Sequence, residues 1–306
     1  MTSHSDAPAA VRPERAHPAT RTAAGIGLVV LAIGLFTVMD TIGKSLMARY
    51  PVPQVVWARY VFQFAWMLVL IPRLGMAGLV RTRRLGMNLA RGLLLATSTM
   101  FMFTAISFVP LADAYTVTFT APLLITVLSI PLLQEQVGWR RWSAVVAGFV
   151  GVLIVIRPGV GAAHWALALP LATAFGFALY QILTRKVAAV PGETSVAMLF
   201  HLAWVGAAVM TVVVPFFWHP VAPFDWLPMA AMGALGGLGH LLLIRALTIA
   251  PASLLAPFVY TQIAWALVLG YLVFGDLPDV WMLAGGAVIV ASGLFVFYRE
   301  AVLGRS

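Results

Sequence analysis

The sequence predicts an all-α membrane protein of ten transmembrane helices, arranged as two inverted five-helix repeats, and three observations predict it. Of its 306 residues 62% are hydrophobic and only 9% are charged, against roughly 25% charged in soluble domains. Proline, glycine and charge clusters cut this apolar chain into ten segments close to the ~20 residues that a spanning helix needs. The chain also repeats itself. Ala105-Ile106-Ser107-Phe108-Val109-Pro110-Leu111-Ala112 returns as Ala246-Leu247-Thr248-Ile249-Ala250-Pro251-Ala252-Ser253, and the same offset carries Phe119 onto Tyr260, Thr120 onto Thr261 and Glu135 onto Asp276. Tandem halves made of membrane-length segments mark a secondary transporter, because repeats packed around a midplane site can alternate its exposure.

The segments fall at about 24–48, 54–72, 86–108, 112–133, 141–157, 164–186, 194–217, 227–247, 253–274 and 280–298. The first repeat is expected to occupy 23–160 and the second 161–299. Residues 1–22 are rich in Ala, Pro, Arg and His, hold no apolar run resembling a cleavable signal, and read as a disordered cytoplasmic tail; 300–306 form a second cytoplasmic tail. Basic residues set the direction. With a cytoplasmic N-terminus, fourteen of the nineteen Lys and Arg lie inside, among them Arg81, Arg83, Arg84, Arg140, Arg141, Arg185 and Lys186, whereas the outside loops keep only Arg49 and Arg157. The net charge of +9 is then a signal of topology and implies no nucleic-acid partner. Five helices per half make the second half enter from the opposite side, so the repeat is inverted.

Ala112-Asp113-Ala114-Tyr115-Thr116-Val117-Thr118-Phe119-Thr120-Ala121-Pro122, the loop Leu133-Gln134-Glu135-Gln136-Val137-Gly138-Trp139 and the helix running to Arg157-Pro158-Gly159 resemble the EamA repeat of the drug/metabolite transporter superfamily. The second copy, Ala252 to Phe258 followed by Phe274-Gly275-Asp276-Leu277 and Gly285-Gly286, resembles it again. Asp276 departs from the repeat, which usually has Glu there. The resemblance covers about residues 24–299 and implies a multi-pass carrier of the bacterial inner membrane. Its cavity would be built from helices one to four and six to nine, with helices five and ten at the periphery.

Taken in order along the chain, the candidate substrate-binding residues begin with Asp40, about sixteen residues into the first span, where an ionised carboxylate costs roughly 2.5–3.5 kcal/mol and must face protein or water. Lys44 follows at i+4, where it would pair with Asp40 or snorkel to the surface. Arg59 and Arg91 sit about five residues inside the second and third spans from opposite faces, at a depth where Arg either snorkels or turns inward to grip a carboxylate or phosphate. The fourth span offers Tyr115, Thr116, Phe119 and Pro122. In the fifth, Ala144 with Gly148 and Ala147 with Gly151 form small-xxx-small faces, suited to close helix packing or to a homodimer. Tyr180, beside Gln181, is the inverted counterpart of Asp40. His201 in the seventh span reads as structural. His240 in the eighth lies among Gly233, Gly236, Gly237 and Gly239 and either exchanges protons or bonds a facing carbonyl. The ninth span offers Ser253, Pro257, Tyr260 and Ala264 as one helical stripe, with Thr261 and Gln262 adjacent. Glu135 and Asp276, at the ends of the fourth and ninth spans, are expected to cap the following helices.

These residues favour a secondary carrier of a small polar or amphipathic metabolite, such as an amino acid, an amine or a nucleoside-like derivative. With Lys44 and Arg59 both inward, the substrate would be anionic or zwitterionic. There are no cysteines, hence no disulfides and no thiolate chemistry. Neither His201 nor His240 has a second ligand at metal spacing, no Walker motif is present, and no cofactor or catalytic residue is expected. The alternative is a membrane-embedded enzyme acting on a lipid or isoprenoid phosphate. Against it, the short outer loops hold almost none of the clustered Asp, His or Arg such a site needs. A passive channel is disfavoured because no polar stripe runs the length of any helix.

Overall fold

The computed structural model describes residues 18–69, 76–133, 139–157, 165–249 and 255–301. Its helices are α1 (Pro18–Met47), α2 (Val52–Leu68), a short α3 (Met76–Val80), α4 (Leu85–Ile106), α5 (Leu111–Thr118), α6 (Ala121–Leu133), α7 (Trp139–Ile156), α8 (Ala168–Ala188), α9 (Ser195–Val213), α10 (Trp226–Ile249), α11 (Thr261–Leu269) and α12 (Val280–Ala301). Among the described residues all regular structure is helical. Six segments are long and apolar enough to cross a membrane: Ala23–Met47, Leu85–Ile106, Leu111–Leu132, Trp165–Ala188, Val196–Phe217 and Pro223–Leu243. Trp142–Ile156, Phe258–Phe274 and Val280–Phe295 are apolar but shorter, and α2 is 17 residues long with Arg59 inside it. Among the described residues, length and composition therefore establish a multi-pass chain with six clear spans and further shorter apolar helices. Local chemistry fixes several starts. Pro51 and Pro110 hold φ at −59° and −56° just ahead of α2 and α5, and the Thr194 side chain caps α9 by accepting from Ala197 N at 3.1 Å.

The fourth and ninth segments are not the continuous helices expected of them. α5 stops at Thr118, Phe119 and Thr120 form a turn, and α6 restarts at Ala121. α11 follows a 3₁₀ turn at Ala256–Tyr260 and runs into a π turn at Gly270–Phe274. The two breaks fall on positions that the repeat superposes. Pro122 has no N–H to offer the carbonyl of Thr118, and Pro257 likewise donates nothing. Thr120 Oγ1 donates to Val117 O at 2.8 Å, and its repeat mate Thr261 Oγ1 donates to Phe258 O at 2.6 Å, so the same hydroxyl bonds the carbonyl three residues back at the break in both copies. The stripe predicted for Ser253, Pro257, Tyr260 and Ala264 presumed an unbroken helix and does not survive this break. Ser253 and Glu135 lie outside the described residues.

Packing obeys the same exchange of halves. α1 lies on α10 as α4 lies on α8, α2 lies on α10 as α4 lies on α9, and α6 meets α8 as α1 meets α11. α2 pairs with α9, α7 with α12 and α5 with α11, each with its own repeat counterpart. Gly148 and Gly151 of α7 face other helices of the same chain, whereas Ala147 is exposed. A Cβ on Gly151 would stand 2.9 Å from Gly285 O, and Gly148 abuts Leu123 and Ser292, so α7 and α12 touch backbone to backbone. The opposite face of α7, with Val146, Val150 and Leu153, is exposed, as a face turned toward lipid should be.

Candidate functional site

The site grows from a polar stripe on α1. Thr37, Thr41 and Ser45 are satisfied by their own helix, each hydroxyl donating to the carbonyl four residues back at 2.9, 2.8 and 3.0 Å, which makes them tolerable among apolar neighbours. Asp40, buried on the same helix, has no such local option. Its Oδ2 accepts from the Tyr115 hydroxyl of α5, and its Oδ1 is buried without a partner. The Gln262 side chain, from the other repeat, lies near the Tyr115 hydroxyl. Beside this pair Phe119 and Tyr260, which the repeat superposes, meet with ring centroids 5.0 Å apart.

Opposite Asp40 stands Arg59 of α2. Its Nη1 donates to Thr99 Oγ1 at 3.2 Å, and that hydroxyl also bonds Tyr60 Oη at 2.8 Å. Its guanidinium carbon lies 5.4 Å from the Tyr60 ring centroid and 5.6 Å from that of Phe103, a cation–π cradle, and its Nε is buried without a partner. Arg59 is the cation whose field acts on Asp40, Tyr115 and His240. Even so, the two charges are not joined: no Arg59 nitrogen comes within 4.0 Å of an Asp40 oxygen. One turn beyond Arg59, Gln63 is buried with its Nε2 also unpartnered. His240 of α10 stands edge-on to Phe36 at 4.8 Å between ring centroids, and its ring makes no hydrogen bond among the described residues.

Lys44 corrects an expectation. It turns away from Asp40 and pairs with Asp276 at 3.1 Å, while donating to Val109 O at 3.1 Å and lying 4.7 Å from the Phe274 ring centroid. Sharing a helical face with Asp40 was not enough, because an exposed-end carboxylate and a free carbonyl satisfy the ammonium without drawing it deeper. Asp276 accordingly does not cap the next helix. Asp279 does, accepting from Met282 N at 2.6 Å while pairing with Arg157 at 2.6 Å. At the same end of the bundle Arg49 pairs with Asp225 at 2.8 Å, Tyr50 donates to that carboxylate at 2.6 Å, and Gln54 and the His219 backbone bond each other twice. Each of these contacts joins the first half to the second.

Tyr180 stands apart from the Asp40 group. It underlies Arg91, whose guanidinium carbon is 5.2 Å from its ring centroid, and stacks on Phe177 at 5.7 Å; no hydrogen bond or ring contact among the described residues joins it to Asp40. Gln181 beside it has no hydrogen-bond partner among the described residues. Arg91, buried, is held by Thr184 at 2.9 Å and Asn88 at 2.5 Å. His201, expected to be structural, bonds Ala197 O of its own helix at 2.8 Å. The structure thus brings together Asp40, Arg59, Tyr115, Phe119, His240, Tyr260 and Gln262, and leaves Lys44, Tyr180 and Gln181 outside the group. Sequence reasoning missed Gln63, Thr99 and Tyr60; the signal for Gln63 was its place one turn from Arg59 in an otherwise apolar helix.

The family model of the EamA-like transporter family matches residues 23–157 and 164–298, one repeat each. The S-adenosylmethionine uptake transporter of Rickettsia conorii is 28% identical over 90% of this chain and 93% of its own. The riboflavin transporter of Vibrio cholerae is 26% identical over 91% and 94%, and the pseudopaline exporter of Pseudomonas aeruginosa 26% identical over 88% and 94%. A solved crystal structure, 20% identical, superposes with a TM-score of 0.62 over 93% of this chain and 99% of that one, which shows the fold alone.

Proposed function

This chain belongs to the EamA-like transporter family, and we propose that it carries a small polar or amphipathic metabolite, anionic or zwitterionic, across the bacterial inner membrane by alternating access. An amino acid, an amine and a nucleoside-like derivative are the substrate classes in view. As a transporter it is not an enzyme, and the reading as a lipid-phosphate enzyme falls with that. The proposed arrangement has ten spans, both termini cytoplasmic, and the end that carries Asp225 and Asp276 facing outward. Asp40, Arg59, Tyr115, Phe119, His240, Tyr260 and Gln262 line the proposed site; Lys44, Tyr180 and Gln181 serve the access routes on either side.

One observation carries this reading. Both repeats interrupt a helix at superposable positions, and the two interruptions meet, Phe119 against Tyr260, beside a buried carboxylate. Discontinuous helices at the repeat interface are where such carriers place their ligands. The relatives named for S-adenosylmethionine, riboflavin and pseudopaline support a substrate of this size and polarity, and supply the first probes. Purified protein in liposomes should take up radiolabelled S-adenosylmethionine or riboflavin saturably and faster when unlabelled compound is trapped inside. Tyr260→Ala should cut that uptake at least about tenfold, the scale expected when an aromatic contact to ligand is lost, whereas Trp281→Ala, in an exposed position on α12, should leave it nearly intact. Loss of transport in folded Trp281→Ala together with wild-type transport in Tyr260→Ala would place the site elsewhere.

A further inference from the structure

We infer that Thr82, Asn88 and Glu193 are positioning residues that act through the buried Arg91 as the latch at one end of the bundle, and that the carrier opens at that end by breaking the hydrogen bond between Thr82 and Glu193. The inference rests on the carrier reading above and names the residues that hold one of its two states.

The latch starts from a turn. Val190-Pro191-Gly192-Glu193 links α8 to α9, with Gly192 at a φ of 90° and Glu193 N donating to Val190 O at 3.2 Å, the Pro-Gly pattern of a type II turn. Proline fixes one central residue and glycine takes the other without strain, so the turn presents the Glu193 side chain in one place. Its Oε1 accepts from Thr82 Oγ1 at 2.7 Å and from Arg83 N at 2.6 Å. Both donors belong to the linker between α3 and α4, in the first half. Its Oε2 is buried without a partner.

From Thr82 the bonds run inward. Thr82 Oγ1 accepts from Asn88 Nδ2 at 2.9 Å and from Arg84 N at 3.1 Å, and Asn88 Oδ1 accepts from Arg91 Nη1 at 2.5 Å. Asn88 and Arg91 are 1% and 2% exposed, and among the described residues no carboxylate comes within 4.0 Å of an Arg91 nitrogen. Arg91 Nε donates to Thr184 Oγ1 of α8 at 2.9 Å, and its guanidinium covers the Tyr180 ring. A buried cation and a partly buried anion are therefore joined through two neutral residues, and α8 closes the circuit.

The two ends dictate the direction of every bond between them. A guanidinium only donates, so Asn88 turns its carbonyl to Arg91 and its amide to Thr82; Thr82 must then accept, and its one proton goes to Glu193, which as a carboxylate only accepts. Bonds aligned head to tail polarise one another. Cutting the relay at any point strands Arg91 at one end and Glu193 at the other, and a stranded charge is the costly outcome. The latch accordingly holds or fails as a unit.

The test uses the full-length protein in detergent, with single thiols placed in a chain that has no cysteine. Ala203→Cys reports on the Glu193 end: Ala203 is fully buried in the cluster that contains Leu79 of α3, against which Tyr180 packs. Ala266→Cys reports on the opposite end, since Ala266 is fully buried and lines a cleft with Asp113 and Asp276. Asn88→Asp should raise maleimide labelling of Ala203→Cys at least about tenfold, the scale of one lost hydrogen bond to a charged group, because the new carboxylate satisfies Arg91 and donates nothing to Thr82. Thr82→Val and Glu193→Ala should do the same. Thr82→Ser and Glu193→Gln, which keep the donor and the acceptor, should label as wild type; if Asn88→Asp fails to fold, Thr82→Val against Thr82→Ser, in the partly exposed linker, decides. In every latch variant Ala266→Cys should label no faster than in the wild type. Lys44→Met, which cuts the pair with Asp276, should reverse the pattern, speeding Ala266→Cys and slowing Ala203→Cys. Unchanged labelling of Ala203→Cys in the three disrupting variants, or an equal rise at both thiols, would overturn the latch; with the Lys44→Met reversal present the carrier would still stand. Latch variants that behave as expected, beside a Lys44→Met that speeds Ala266→Cys without slowing Ala203→Cys, would remove the alternation and the carrier reading with it, and leave Thr82 and Glu193 as a lock between helices only.

Discussion

The Lys44–Asp276 pair joins residues 232 positions apart, and its two side chains are 16% and 26% exposed, between the surface pairs that contribute almost nothing and the buried ones whose disruption is severe. Lys44→Met or Asp276→Asn should each destabilise the folded protein by about 1–3 kcal/mol, because the survivor is left partly desolvated. Lys44→Met combined with Asp276→Asn should recover part of that loss, since no charge is then stranded. Thermal unfolding of the three purified variants checks this, and single variants as stable as wild type would show the pair to be superficial. At this scale the candidate site was half legible. Asp40 announced itself because an ionisable group in an apolar helix must find a use. The partner of Lys44 did not, because helical spacing relates a residue only to its own helix. Gln63 was within reach of the same spacing rule applied from Arg59 and was overlooked for lack of charge.

Two kinds of element make the architecture work, and each fails differently when altered. The broken fourth and ninth segments place a turn at Phe119–Thr120 and a 3₁₀ turn ending at Tyr260, and their prolines and threonines were visible in the sequence. The conversion of α11 into a π turn at Gly270–Phe274 was not, because no local sequence signal marks where i→i+5 bonding replaces the α pattern. The peripheral pair α7–α12 is rigid by contrast. Gly151→Leu drives a side chain into a space already closed by Gly285 O and Ile289, and overpacking of that kind costs upwards of about 1–3 kcal/mol. Folded yield of Gly151→Leu, read by size-exclusion chromatography, should fall sharply, whereas Val150→Leu, one residue along on the exposed face, should behave as wild type. Equal yields would mean that the small-residue face of α7 is not where the helices meet.

At the scale of the whole molecule, bonds between the halves close both ends of the bundle. One end holds Lys44–Asp276, Arg49–Asp225 and Arg157–Asp279; the other holds Thr82 and the Arg83 amide on the Glu193 carboxylate, at 2.7 and 2.6 Å. A carrier that alternates must release these sets in turn, so which end faces the cytoplasm decides which set is the outer gate. The proposed topology puts Arg81, Arg83, Arg84, Arg185 and Lys186 on the cytoplasmic side and Asp225, at the opposite end of the bundle from Arg83, on the other. The chain contains no cysteine, so a single introduced thiol reports without background. Asp225 is a poor position for one, being buried and paired with Arg49, but the neighbouring Phe224 is 91% exposed. In intact cells a membrane-impermeant maleimide should label Phe224→Cys and spare Arg83→Cys, and both should react once the membrane is opened. Labelling of Arg83→Cys alone in intact cells would invert the orientation, making the Glu193 contacts the outer gate and the three ion pairs the inner one.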